Sequence, residues 1–373
     1  MAENFFPSAK DFDEMGNHLE SIAKLLSNKA EVDVNDWDSI HRAVRMGFAP
    51  GALPIGTQLV VNHSVYGDIT LDVVAHDHYK SADIEGAHTM TLMCHDVITS
   101  IRFDEKEAFY YAEEELPAGT YHFYVTSDSS AAGQFTLDQP LAKGGQLFIN
   151  GNPSYSIDSS EILAYDYPSS QTVPKTYPIT VGTEGTCIGT LGAGLNNRSR
   201  AFYGSDNYKE SAIRQFVNSS ADAGSVWSPQ TKYDFRPEWK DVLAGFANGF
   251  SEEFLSKVGR VIVPCHANIT YESDDSTIVM GQAYNVNDKF YLPSAKEIFG
   301  TGVESDESFQ LPFFENASDV DRIKYLGTNA SEYWMRTSGG VSMLETVTKS
   351  GARHLMGSFA NASLGVVPMF NIV

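Results

Sequence analysis

Cysteine is scarce in this chain. Cys94, Cys187 and Cys265 are the three it has in 373 residues, far apart and with no CxxC. A disulfide framework needs denser cysteines in pairs, and a thiolate zinc site needs ligands at close spacing, so both are excluded in favour of free thiols. Positive charge is also short. Lys and Arg number 26 against 48 Asp and Glu, a formal net charge of −22. No basic footprint is left to track phosphates, which removes nucleic acid as a partner. No run approaches the roughly 18 consecutive apolar residues of a membrane span. The opening "MAENFFPSAK" has no basic stretch leading into an apolar one, so synthesis in the cytoplasm without a signal peptide is expected. Nucleophile-elbow and zinc-protease signatures are missing as well: there is no GxSxG or HExxH. "GTLGAGLNN" (189–197) lacks the Lys-Ser/Thr of a phosphate loop and reads as a turn. No repeat at a solenoid or propeller period occurs.

Apolar residues are plentiful, at 42%, with 12% aromatic. That supplies a large core, and the length fits two or three domains. Residues 1–50 read as a helical segment. "FDEMGNHLESIAKLLSNKA" and "VNDWDSIHRAVRMGFA" both carry apolar residues at helical spacing, the second capped by Asn35 or Asp36 and ending near Gly47. Such stripes need a partner, either the body of the protein or other subunits. From Pro54 the pattern turns to strands: "TQLVVNH", "DITLDVVAHD", "HTMTLMCHDVI", "AFYYAEE", "GTYHFYVTS", "GQFTLDQ" and "GQLFING". Residues 114–186 are almost pure β and read as a β-sandwich-like insertion. Beyond it the chain is mixed, with short helices in "NYKESAIRQFVNSS", "SEEFLSKVG" and "SAKEIFG" and a strand in "RVIVPCH". The fold class is α+β.

His76 and His78 form an HxH on a candidate strand, where alternate residues share a face, with His88 and His95 following. They are weak candidates for a metal pair, since no carboxylate or cysteine at tight spacing completes a shell. No metal or other cofactor is expected. Forty-eight carboxylates make any acid/base pair meaningless without geometry.

Four blocks read in order carry more. They are "GSDNYKESAIRQFVNS" (204–219), "NDKFYLPSAKEIFG" (287–300), "YWMRTSGG" (333–340) and the closing "SLGVVPMFNI". Together they resemble a family of uncharacterised domains abundant in gut bacteria and their phages. Its pattern runs W-x-x-S-x-hydrophobic-R-x-W-L-N, D-K-hydrophobic-F-L-L-S-x-x-E, W-W-L-R-S/T-P-G and G-V-R-P. Tyr208, Phe216 and Tyr333 stand where the pattern has Trp, and Val367 where it has Arg. The resemblance implies a C-type-lectin-like fold, related in shape to formylglycine-generating enzymes. It does not imply their chemistry, because no cysteine follows Cys265. Residues 51–113 would form the first part of that domain and 187–373 the remainder, around the insertion.

Arg214, Trp334 and Arg336 are then expected to frame the scaffold, Trp334 by apolar area and Arg336 by a fork of hydrogen bonds to carbonyls. The stretch they support is expected to form two extended segments joined through Ser350-Gly351. Its displayed residues would be Met343, Glu345, Thr346, Thr348, Arg353, His354, Met356, Ser358, Phe359 and Asn361, with Arg353, His354 and Phe359 as leading contacts. In phages such C-terminal domains serve as binding ends of virion proteins. The expectation is therefore a phage or prophage virion protein that is not an enzyme and that attaches to a host-surface glycan or protein. Its N-terminal helices would join other virion subunits in a homo-oligomer, a trimer in the first instance. A glycan-processing virion enzyme and a purely architectural capsid or tail component remain the alternatives.

Overall fold

The computed structural model describes residues 32–124, 131–150, 162–166, 175–177, 179–181, 185–190, 198–271, 278–301 and 308–373. The first expected helix lies outside them. The second is α1 (Trp37–Arg45), where the Asp36 carboxylate accepts the N–H groups of Asp38 and Ser39 at 3.0 and 3.2 Å. Gly47, at φ +73°, follows its end. Ile40, Ala43 and Val44 are buried, and the Trp37 ring meets Phe254 edge-on at 4.8 Å. The apolar stripe of α1 is therefore covered by the body itself. A further turn, α2 (Ala49–Ala52), leads into the first strands.

Those strands are β1 (Gln58–His63), β2 (Gly67–His76), β3 (Met90–Cys94) and β4 (Thr99–Arg102). β1 alternates as its sequence does, with Leu59 and Val61 inward and Val60 exposed. The strands of the insertion follow: β5 (Tyr110–Tyr111), β6 (Gly119–Tyr124), β7 (Ala131–Leu137), β8 (Gly145–Ile149), β9 (Ile162–Asp166), β10 (Lys175–Tyr177), β11 (Ile179–Val181) and β12 (Thr186–Thr190). They form two four-stranded sheets, in the orders β10-β9-β8-β5 and β11-β7-β6-β12. A core of their own includes Phe109, Phe123, Phe135 and Leu147. It also takes in Ala112, Ala201 and Phe202, so it reaches past the expected 114–186 on both sides. The two-residue strand β5 and the helix α3 (Arg198–Tyr203) are too short to leave a periodic signal.

The chain then returns through α4 (Ala212–Asn218), α5 (Glu252–Leu255), β13 (Val258–Gly259), the long hairpin β14 (Val261–Tyr271) and β15 (Ile278–Asp288), β16 (Phe290–Tyr291) and α6 (Ala295–Phe299). The last strands are β17 (Lys324–Leu326), β18 (Asn329–Ser331), β19 (Tyr333–Gly340), β20 (Met343–Val347), β21 (Arg353–Phe359), β22 (Ser363–Val366) and β23 (Met369–Ile372). Two sheets interlock the ends of the chain. The first has the order β1-β2-β3-β23-β13, with β16 also on β23, and the second the order β21-β20-β19-β22-β4. The terminal strand thus sits inside the sheet that the first strands begin, and β4 edges the sheet that the last strands build. One core packs between these elements, from Ile40 and Leu92 to Trp334 and Phe370. The architecture is α+β.

Candidate functional site

Arg336 lies on β19 with no exposed surface, in a region where an unpaired charge would cost several kcal/mol. Its Nη1 and Nη2 donate to Glu297 at 2.8 and 2.7 Å, while Nε and Nη1 reach the carbonyls of Pro264 and Leu292 at 3.1 and 2.6 Å. The expected fork to carbonyls is thus completed by a carboxylate. Glu297 also closes a capping box at the start of α6, accepting the Ser294 N–H at 2.8 Å, and accepts the Tyr79 hydroxyl. The Arg336 guanidinium and these bonds hold the Glu297 carboxyl below its usual range against the opposing effect of burial. The S-x-x-E of "PSAKEIF" was the signal for this residue. Trp334 is fully buried, donates from Nε1 to the Ile101 carbonyl at 3.0 Å and stands edge-on to Phe103. Arg214 makes a two-pronged pair with Asp288, both bonds at 2.8 Å.

On this base stands the β20–β21 hairpin. Its strands join through residues 348–352, where Gly351 has φ +81° and a Cβ would lie 1.6 Å from the Asp319 carbonyl oxygen. The pairing of β20 with β21 is broken by a bulge. Thr346 faces His354 and Leu344 faces Ser358, so Glu345 stands opposite Leu355, Met356 and Gly357 together. Gly357 makes this possible, with φ +59° and a backbone so close to β20 that a Cβ would lie 1.5 Å from the Leu344 carbonyl oxygen. The extra residues are pushed outward, leaving Leu355 58% and Met356 64% exposed on an edge strand.

The displayed residues sort differently from the expectation. Glu345 and Thr346 are fully buried and cannot be contacts. Arg353 is committed to Glu345 through two bonds, at 2.5 and 2.8 Å, and reaches the Thr301 hydroxyl at 3.0 Å. Phe359 stacks on Tyr203 with ring centres 3.6 Å apart, and Asn361 donates to the Phe202 carbonyl at 2.9 Å, so both tie the hairpin to α3. Met343, Thr348 and Ser358 are half-buried, whereas His354 and Met356 are exposed. His354 Nδ1, the Thr346 hydroxyl and the Ser358 hydroxyl all gather on Glu332. Sequence reasoning missed Leu355 and Glu332. Alternation with period 2 cannot register a bulge, and Glu332 lies outside the hairpin.

The HxH pair does not face one side. β2 ends at His76, Asp77 takes φ +51°, and the rings diverge. His76 Nε2 lies 2.9 Å from the Leu53 carbonyl, while His78 Nε2 lies 2.8 Å from the Ser308 hydroxyl. Burial pushes both imidazoles down, toward the neutral form. Among the described residues no group of three His, Cys, Asp or Glu side chains is placed to hold a metal. No helix among them is long and apolar enough to cross a membrane.

Residues 186–373 match a family described as a domain of unknown function, DUF6273. The chain matches no curated protein and no solved structure. The matched region holds α4, α6, β19 and the whole β20–β21 hairpin, and therefore Arg214, Glu297, Trp334, Arg336 and the bulge. β1 to β4 precede it, although they complete both interlocked sheets. With its sequence matched from β12 through the last strand, this chain belongs to the DUF6273 family.

Proposed function

We propose that this protein is a binding protein and not an enzyme, presenting the bulge at Leu355 and Met356 to a macromolecular surface from a C-type-lectin-like domain. The observation that carries the reading is how much rigid structure goes into exposing two apolar side chains. A left-handed glycine against a carbonyl, the pair of half-buried Arg353 with buried Glu345 and the Arg336–Glu297 frame hold the bulge in one shape. Preorganised apolar side chains on a firm base lower the ordering cost of association. The resemblance of the four blocks supports the setting: a structural component of a phage or prophage virion that attaches to a host-surface protein or glycan. In the same reading the protein joins other virion subunits in a homo-oligomer, through contacts other than the apolar stripe of α1, which the body covers.

The test is adsorption of the purified protein to host cells. Leu355→Ser with Met356→Ser is expected to leave the unfolding temperature within a few degrees and to remove saturable binding. Binding that survives this change moves the recognition surface elsewhere. Release of sugars from the cell surface by the wild type would favour the enzyme.

A further inference from the structure

The outer face of the β14–β15 hairpin forms one wall of a cleft. Val261, Val263 and Cys265 turn into the core, so Ile262 and Pro264 turn outward. Asn285 stands opposite Pro264 across the hairpin and shares that face. After β2 the chain turns at Asp77 and runs beside β14, where the Ile262 N–H donates to the Lys80 carbonyl at 2.9 Å. Ser308 and Phe309 close the other side. The space between these segments is about 300 Å³, with Lys80, Ile262, Asn285, Ser308 and Phe309 on its walls.

Buried bonds hold the walls from below. Arg336 Nε donates to the Pro264 carbonyl at 3.1 Å, and Glu297 accepts the Tyr79 hydroxyl. His78 Nε2 lies 2.8 Å from the Ser308 hydroxyl and 3.9 Å from Glu297 Oε1. Ser308 makes that contact with φ at +80°, a backbone conformation costly to any residue with a Cβ. This turn sets the hydroxyl on His78 and leaves the next ring, Phe309, 78% exposed at the rim. The cleft is thus shaped before a ligand arrives, which lowers the ordering cost of binding.

The walls divide by chemistry. Phe309, Ile262 and Pro264 supply apolar surface. The Asn285 amide both donates and accepts, and the Ser308 hydroxyl keeps capacity beyond its bond to His78. The Lys80 and Asn285 side chains are exposed and bond no other side chain among the described residues. In a chain of net charge −22, an uncommitted ammonium in a cleft is where an anion enters. A pyranose ring has the matching two-sided character, with C–H groups for an aromatic face and hydroxyls for an amide and a hydroxyl. The volume lies at the low end of small-ligand sites, which suits one ring and not a longer chain.

We propose that this cleft binds a sugar acid, a single pyranose ring carrying a carboxylate, at the end of a glycan. The ring lies against Phe309, its hydroxyls meet Asn285 and Ser308, and its carboxylate meets Lys80. The site is separate from the bulge at Leu355 and Met356, and it does not rest on that bulge as a contact.

Amide spectra of the full chain, titrated with the methyl glycosides of glucuronic acid and of N-acetylneuraminic acid, test this. Saturable shifts at Lys80, Asn285 and Phe309 are expected with at least one of them. Its methyl ester, which keeps the ring and loses the charge, should bind at least about tenfold more weakly, the worth of one charge-assisted bond. Acetate, which keeps the charge and lacks the ring, should also bind more weakly than the acid. Lys80→Met should bring the acid down to the level of its ester, and Phe309→Ala should weaken both. These two side chains are exposed, so an unchanged unfolding temperature is expected in each variant. Absence of saturable shifts at these residues with both sugar acids overturns the proposal. So does acetate binding as tightly as the acid, which would make this a bare anion site, or a Lys80→Met variant that still prefers the acid. None of these readouts involves cell binding, so the sugar site stands or falls apart from the attachment reading.

Discussion

Arg336 and Glu297 are two full charges with no exposed surface. Removing one partner strands the other. Arg336→Ala is expected to cost about 3–5 kcal/mol, read as a lower urea midpoint. The double change Arg336→Met with Glu297→Leu should cost less than either single truncation, since no charge is left behind. The pair also sets an acid limit. Its Arg336 partner lowers the folded-state pKa of Glu297, so this contribution is present above the ordinary glutamate range and is lost as pH falls through the lowered value. An unchanged acid-unfolding midpoint in Glu297→Gln would remove that account. The frame was half legible in sequence. Arg336 stands out as a charge inside an apolar strand and Ser294-x-x-Glu297 as a helix start, but their meeting across 39 residues is a fact of folding alone.

At the scale of the element, the β20–β21 hairpin shows where pattern reasoning stops. The turn at Ser350-Gly351 was readable from its residue types, because glycine supplies the left-handed backbone that it needs. Which side chains face outward was not. A strict alternation places Glu345 among the displayed residues, but the bulge puts three residues of β21 opposite it and buries it against Arg353. Gly357→Ala tests the bulge, since the new methyl would have to displace the Leu344 carbonyl. It is expected to destabilise the protein by roughly 1–3 kcal/mol and to redraw the bulge. Peptide-mapped oxidation of Met356 by peroxide should slow if its side chain retracts. Equal stability and an equal oxidation rate would mean that the glycine is not required.

Across the whole molecule, the ends of the chain depend on each other. Ile40, Val44 and Ala49 are all but fully buried in the main core, so a chain lacking residues 1–49 loses core and not only an appendage. Burial of a Val- or Ile-sized side chain contributes about 1.5–3 kcal/mol, so this truncation should unfold at distinctly lower urea. A fragment of 186–373 alone lacks β3 beside β23 and β4 beside β22. It is expected to give no dispersed amide spectrum, whereas adding residues 32–110 in trans should restore part of it. A well-folded isolated fragment would show that the interlocked sheets are not needed.

Composition and local pattern determined the α+β class, the strand-rich insertion, the cap of α1 and the blocks that frame the C-terminal sheet. Each depends on a periodicity or a residue type within a few positions, which a sequence displays directly. Tertiary structure alone decided three things: that β23 closes a sheet begun by β1, that Glu297 answers Arg336, and that Leu355 and Met356 stand outside while Glu345 does not. Strand partners far apart in the chain are chosen by the packing of complementary faces. A buried charge is compensated by whichever side chain the fold brings near. A bulge appears where backbone register, not composition, has one residue facing several.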